Sequence, residues 1–148
     1  MSQVTPSSSM QVYALRLKPG QDLKTELQNF ITGHKIEAAA IITCVGSLQK
    51  ATLRLANQSE YQTYEQKMEI VSLVGTLAVE GSHVHISLSD SSGTTIGGHL
   101  VEGCLVYTTA EIILGVLPDL RFARELDEAS GYKELKVYSR KRKNNNKF

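Results

Sequence analysis

The chain has 148 residues, 41% of them apolar, and a formal net charge of +1. That suffices for one domain with a real hydrophobic core and no need of disulfide staples. The longest apolar runs, residues 38–42 and 112–117, are too short to cross a bilayer as helices, which need about 20 residues, so a soluble protein is expected.

Residues 1–9 are polar and uncharged, with Ser7-Ser8-Ser9 among them. They resemble neither a signal nor a transit peptide and are expected to be disordered. The domain is expected over residues 10–139. Tyr13, Leu15 and Leu17 alternate with Arg16 and Lys18, predicting a first strand that Pro19-Gly20 ends. Asp22 is placed to cap a helix in which Leu23, Leu27, Phe30 and Ile31 share one face, with Gly33 as its stop. His34, next to that end, reads as a partner for the helix dipole. Strands are then expected at 38–45, with Gly46 as terminator, and at 51–56, 69–77, 82–89, 94–100 and 103–117. A short helical turn at 120–126 and a strand at 134–138 complete the domain. One principal helix among many strands, without a βαβ rhythm, predicts an α+β fold on a largely antiparallel sheet.

Beyond that lies a basic tail. Arg140, Lys141, Arg142, Lys143 and Lys147 hold five of the 16 Lys and Arg residues, leaving the rest of the chain 11 bases against 15 acids. A body of that sign is no general polyanion surface, so any nucleic-acid affinity is expected from residues 140–148. Cys44 and Cys104 form no C-x-x-C pair and point to reduced thiols, hence an intracellular, cytoplasmic location.

Three of the four histidines fall within 17 residues: His83, His85 and His99. Strand alternation puts His83, His85 and Ser87 on one face and Val84, Ile86 and Leu88 on the other. The turn decides where His99 lies. A two-residue loop pairing Asp90 with Gly93 would set it opposite Val84. Asp90-Ser91-Ser92-Gly93-Thr94 suits instead a three-residue loop, a type I turn followed by a left-handed Gly93. His85 then faces His99, at about 4.5–5.5 Å between Cβ atoms. Three imidazoles so placed are a zinc donor set with a fourth position open. The same pattern also fits a polar sheet face that uses histidine in place of serine or threonine. Gly97 and Gly98 would allow a close backbone approach or a bulge that re-aims His99.

Other candidates are weaker. Asp90 reads as the turn residue. Glu111 has no fixed place along its strand. Glu102 follows His99 by three and, on strict alternation, faces away from it; it remains a candidate to hydrogen-bond a ligand histidine from behind. Arg54 alternates out of line with Leu53 and Leu55, as a surface or interface charge or an anion-binding group. Cys104 reads as a small core residue. No G-x-S-x-G, P-loop or dinucleotide fingerprint occurs.

Gly81-Ser82-His83-Val84-His85 followed by Gly97-Gly98-His99-Leu100 resembles the plants and prokaryotes conserved (PPC) domain family. Supporting stretches are Gly46-Ser47-Leu48 leading into Leu53-Arg54, the run 69–77, and Thr109-Ala110-Glu111. The resemblance covers about residues 10–138. It implies a mainly antiparallel sheet flanked by helix, a homotrimer, and binding of zinc or another divalent metal by His83, His85 and His99. In the plant branch AT-hook segments precede the domain and bind AT-rich DNA. This chain has no Arg-Gly-Arg-Pro hook, and the plant partner-binding motif is only half preserved, at 66–71. The functions open at this point are a DNA-associated or regulatory trimer acting through the tail, a zinc-dependent binder or hydrolase-like enzyme, and a trimeric scaffold holding a small molecule in a subunit cleft. No general base is evident beside the histidines, which counts against the enzyme.

Overall fold

The structure is a computed structural model, and residues 5–140 of it are described. Ten elements follow one another. They are β1 (Gln11–Leu17), α1 (Leu23–Gly33), β2 (Ala39–Arg54), β3 (Tyr61–Tyr64), β4 (Met68–Leu77), β5 (His83–Ser89), β6 (Thr95–Leu100), β7 (Leu105–Val116), β8 (Leu120–Leu126) and β9 (Lys133–Ser139). Every strand pairing is antiparallel. The expected α+β class with one helix holds, and no helix is long and apolar enough to cross a membrane among the described residues.

The Asp22 carboxylate fixes the helix start. Its Oδ1 accepts the Thr25 N–H at 2.9 Å, an N-cap bond that satisfies an otherwise orphaned donor. Its Oδ2 accepts the backbone N–H groups of Gly103 and Cys104 at 2.6 and 3.0 Å. One side chain thus pins the β6–β7 connection to the helix. Leu23, Leu27 and Ile31 are buried in the same cluster as Leu53, Val84, Ile86, Leu100 and Val106. The helix ends at Gly33 as expected, but the glycine itself is not the left-handed residue. The left-handed residue is Lys35, at φ 53°. Ile36 N–H donates to Ile31 O and Lys35 N–H to Thr32 O, closing a Schellman motif. His34 caps the same end, its Nδ1 2.9 Å from Phe30 O.

The two strands expected at 38–45 and 51–56 are one 16-residue strand, β2. Gly46 does not terminate it. It sits at φ +147°, where an added Cβ would lie 2.1 Å from Thr109 O, and the register against β7 shifts between Gly46 and Leu48. The glycine carries β2 through an irregularity rather than ending it. On one edge β2 pairs with β3 and β4. On the other it pairs with β7, and at Leu53 and Arg54 with β6. Because β4 pairs β5 and β5 pairs β6, the pairings β2–β4–β5–β6–β2 form a closed circuit. Gly98 permits this closure, for a Cβ there would stand 2.9 Å from Arg54 O and 3.4 Å from the Leu53 side chain.

Two further elements depart from the sequence expectation. Residues 120–126 form a strand, not a helical turn. Leu120 and Phe122 are buried beside Ala38 and Ala78, and all seven residues pair with β9. The short exposed β3 was not anticipated. Ser8 and Ser9 hydroxyls both reach Asp119 Oδ2, at 3.4 and 3.1 Å.

Candidate metal centre

The turn at the end of β5 has the anticipated chemistry. Gly93 N–H donates to Asp90 O, Asp90 N–H to Thr94 O, and Gly93 lies at φ +85°. The Asp90 carboxylate accepts from Ser92 N–H and Thr94 N–H at 2.9 and 3.0 Å, so it is a turn residue and not part of the site. These bonds hold its carboxyl below the usual range, the Ser92 hydroxyl contributing most. His85 is therefore opposite His99.

The register extends across four strands. Val74 on β4 faces His85, His85 faces His99, and His99 faces Arg54 on β2. Directly opposed residues share a face, so these four form a row on the outer surface of the closed circuit. His83 lies opposite Thr76 in the neighbouring row. The ring centroids of His83, His85 and His99 are 4.8, 4.8 and 5.3 Å apart. One nitrogen from each ring can be chosen so that all three lie within 4.8 Å of one another. His83 Nε2 and His85 Nε2 are 3.1 Å apart, close to the roughly 3.4 Å that separates two nitrogens on one tetrahedral ion at ~2.0–2.1 Å. The donor set fits a single divalent ion.

The electrostatics favour the neutral, metal-binding form of His83 and His99. Burial pushes the His99 pKa down to about 4, and the charges of His83, Arg54, His85 and Lys24 add to the effect. Burial likewise lowers His83, with His85, Arg124 and Arg54 adding and Glu134 opposing. A depressed folded-state pKa means that, between about 6.5 and about 4, the unfolded chain binds more protons than the folded one. The metal-free protein should therefore lose stability as pH falls through that window. Melting curves at closely spaced pH values check this, and a flat profile between pH 6.5 and 4 would contradict it.

Arg54 stands beside His99, as a flanking charge and not a distant one. Its guanidinium makes no hydrogen bond or ion pair among the described residues. Glu102 is exposed and hydrogen-bonds none of the histidines; the charge it influences is that of Lys24, whose pKa burial lowers and Glu102 raises. Glu111 is exposed on β7, opposite Arg16 and Val45, away from the site. Cys104 and Cys44 are free and buried, each thiol pushed up to about 11 chiefly by burial. Gly97 and Gly98 serve strand packing: a Cβ on Gly97 would meet Ile86 O at 2.9 Å. Of the basic tail, Arg140 is engaged, its Nε 2.7 Å from Glu37 Oε2. Lys141, Arg142, Lys143 and Lys147 lie outside the described residues.

The β8–β9 hairpin supplies residues that sequence reasoning missed. Arg124, Tyr132, Lys133 and Glu134 join Arg54, His83 and His99 around a cavity of ≈ 550 Å³. Arg124 Nη2 donates to Thr76 Oγ1 at 2.8 Å, which tethers the guanidinium to the residue directly opposite His83.

The family model for the Plants and Prokaryotes Conserved (PCC) domain matches residues 4–118. The chain belongs to the PCC domain family. A Synechococcus sp. (strain JA-3-3Ab) protein called bifunctional protein GlmU is 47% identical over 135 residues, covering 91% of this chain. The PCC chain spans only 22% of that relative's length. A solved Salmonella enterica structure is 41% identical with a TM-score of 0.90, covering 92% of this chain and 99% of the other. A protein from Archaeoglobus fulgidus described as metal-containing is 26% identical with a TM-score of 0.73, covering 88% and 98%. The family match ends before β8, so the hairpin that lines the cavity lies beyond it.

Proposed function

We propose that this PCC-domain protein holds one divalent metal, zinc in the first instance, on His83, His85 and His99, and uses the remaining coordination position to bind a small molecule. The carrying observation is the convergence of three imidazoles, with nitrogens within 4.8 Å, two of which, His83 and His99, line a cavity. The metal-containing Archaeoglobus relative supports the reading. Bound zinc would supply Lewis acidity and bring a water's pKa to about 7. Among the described residues no carboxylate hydrogen-bonds a cluster histidine, which favours binding or regulation over hydrolysis. Elemental analysis of purified protein should find one zinc-like metal per chain. Failure to take up zinc at neutral pH would return the cluster to a polar sheet face.

A homotrimer belongs to the same proposal. Val12, Ile42, Val45, Val71 and Val74 stand exposed on β1, β2 and β4, and large apolar side chains left on a sheet surface suit a contact with another chain. A second copy of the chain is the occupant proposed for it, and light scattering should give three times 16.3 kDa. DNA association is a second reading, favoured by the basic tail. With Arg140 already paired to Glu37, only Lys141, Arg142, Lys143 and Lys147 remain for phosphates. Binding should then be weak and salt-sensitive, and removal of residues 141–148 should abolish it.

A further inference from the structure

We infer that the cavity beside the histidines is a phosphate site, built by the β8–β9 hairpin, for a phosphorylated small molecule. This rests on the metal-dependent binding reading above and names the ligand class of the same site. The geometry is a bracket. Arg54 stands at one end of the row that contains His99 and His85. Arg124 arrives from β8 at the other side, tethered to Thr76 opposite His83. Both line one cavity with His83 and His99. Arg54 has no internal partner among the described residues, and Arg124 commits one donor of five, so most of both planar forks is unspent.

Charge and shape select the anion. The cavity wall carries Arg54, Arg124 and Lys133 against the single acid Glu134. A carboxylate has one charge and two oxygens, and one arginine fork satisfies it. A phosphate monoester carries close to two charges and three terminal oxygens. It can take both forks and still offer an oxygen to the fourth position of a three-histidine metal. The ≈ 550 Å³ volume is that of a small-molecule site, within the usual range of about 300–1,000 Å³. Tyr132, 74% exposed on the cavity rim, offers a ring face to the organic part of the ester. The hairpin thus brings two cations, one acid and an aromatic to a centre whose histidines come from β5 and β6.

Calorimetric titration of the full-length zinc-loaded protein with inorganic phosphate, and with acetate as carboxylate control, tests this. Phosphate should bind at least about tenfold more tightly than acetate. Arg54→Gln and Arg124→Gln should each weaken phosphate by on the order of tenfold, as loss of a charge-assisted bidentate partner does, with zinc content unchanged. Equal affinity for phosphate and acetate, or variants that bind phosphate like the parent, would overturn the phosphate site while leaving the metal centre standing. Arginine-dependent phosphate binding in a protein that takes up no zinc would do the reverse, upholding the phosphate pocket and removing the metal.

Discussion

Replacing His85 with alanine should lower zinc affinity by more than a hundredfold while leaving the metal-free fold intact. His85 adjoins both other ligands: it faces His99 on β6, and its Nε2 lies 3.1 Å from that of His83. Without it two imidazoles remain. Loss of outer hydrogen-bond partners alone typically costs about 10–100-fold in metal affinity, and loss of a ligand must exceed that. The ring is on the exposed side of β5, and Val84, Ile86 and Leu88 are buried on the other. Surface changes of this kind usually stay within about 0.5 kcal/mol. The contrast appears in thermal melts with and without zinc. A ligand at a hundred times its Kd stabilises by about 2.7 kcal/mol, a shift the parent should show and His85→Ala should lack. If the variant keeps the parent's zinc-induced shift, the metal is held elsewhere.

The histidine cluster was legible because its geometry is local. Alternation fixes His83 against His85, and one glycine turn fixes His99 against His85. Arg54's place beside His99 was not legible, since it depends on β6 meeting the far edge of β2, a pairing between residues about 45 apart in sequence. The hairpin failed for a different reason. Leu120-Arg-Phe-Ala-Arg-Glu-Leu126 is rich in good helix formers and holds no β-branched residue. Pairing with Lys133–Ser139 and burial of Leu120 and Phe122 override that preference. With the hairpin misread, Arg124 and Glu134 could not be brought to the histidines. Gly46 was read as a terminator because punctuation is what glycine most often supplies. Whether a glycine instead makes room for a neighbouring backbone is visible only once that neighbour is in place.

Gly75 makes such room directly beneath the site, and Gly75→Ala should be among the most damaging single-methyl additions to this protein. Gly75 on β4 faces Val84 on β5. A Cβ there would stand 2.3 Å from His83 O and 2.8 Å from Val84 Cα, and neither is the end of a flexible side chain. Relief requires β4 and β5 to separate, and β5 cannot move without its pairing to β6 and the closed circuit moving too. Overpacking of this kind costs about 1–3 kcal/mol. Since the obstruction is backbone, the upper end is expected. At about 2–4 °C per kcal/mol for a chain of this size, the melting temperature should fall by roughly 6–12 °C. Zinc affinity should fall with it, because the displaced atoms belong to the strand that carries His83 and His85. Gly33→Ala is the control, the same chemical change at the last residue of α1 with nothing within 4 Å of the added carbon. There the helix gains up to about 1 kcal/mol, so the melting temperature should rise slightly and zinc binding should not change. A Gly75→Ala protein that melts with Gly33→Ala and keeps the parent's zinc affinity would mean that β4 and β5 do not approach as closely as 2.3 Å implies.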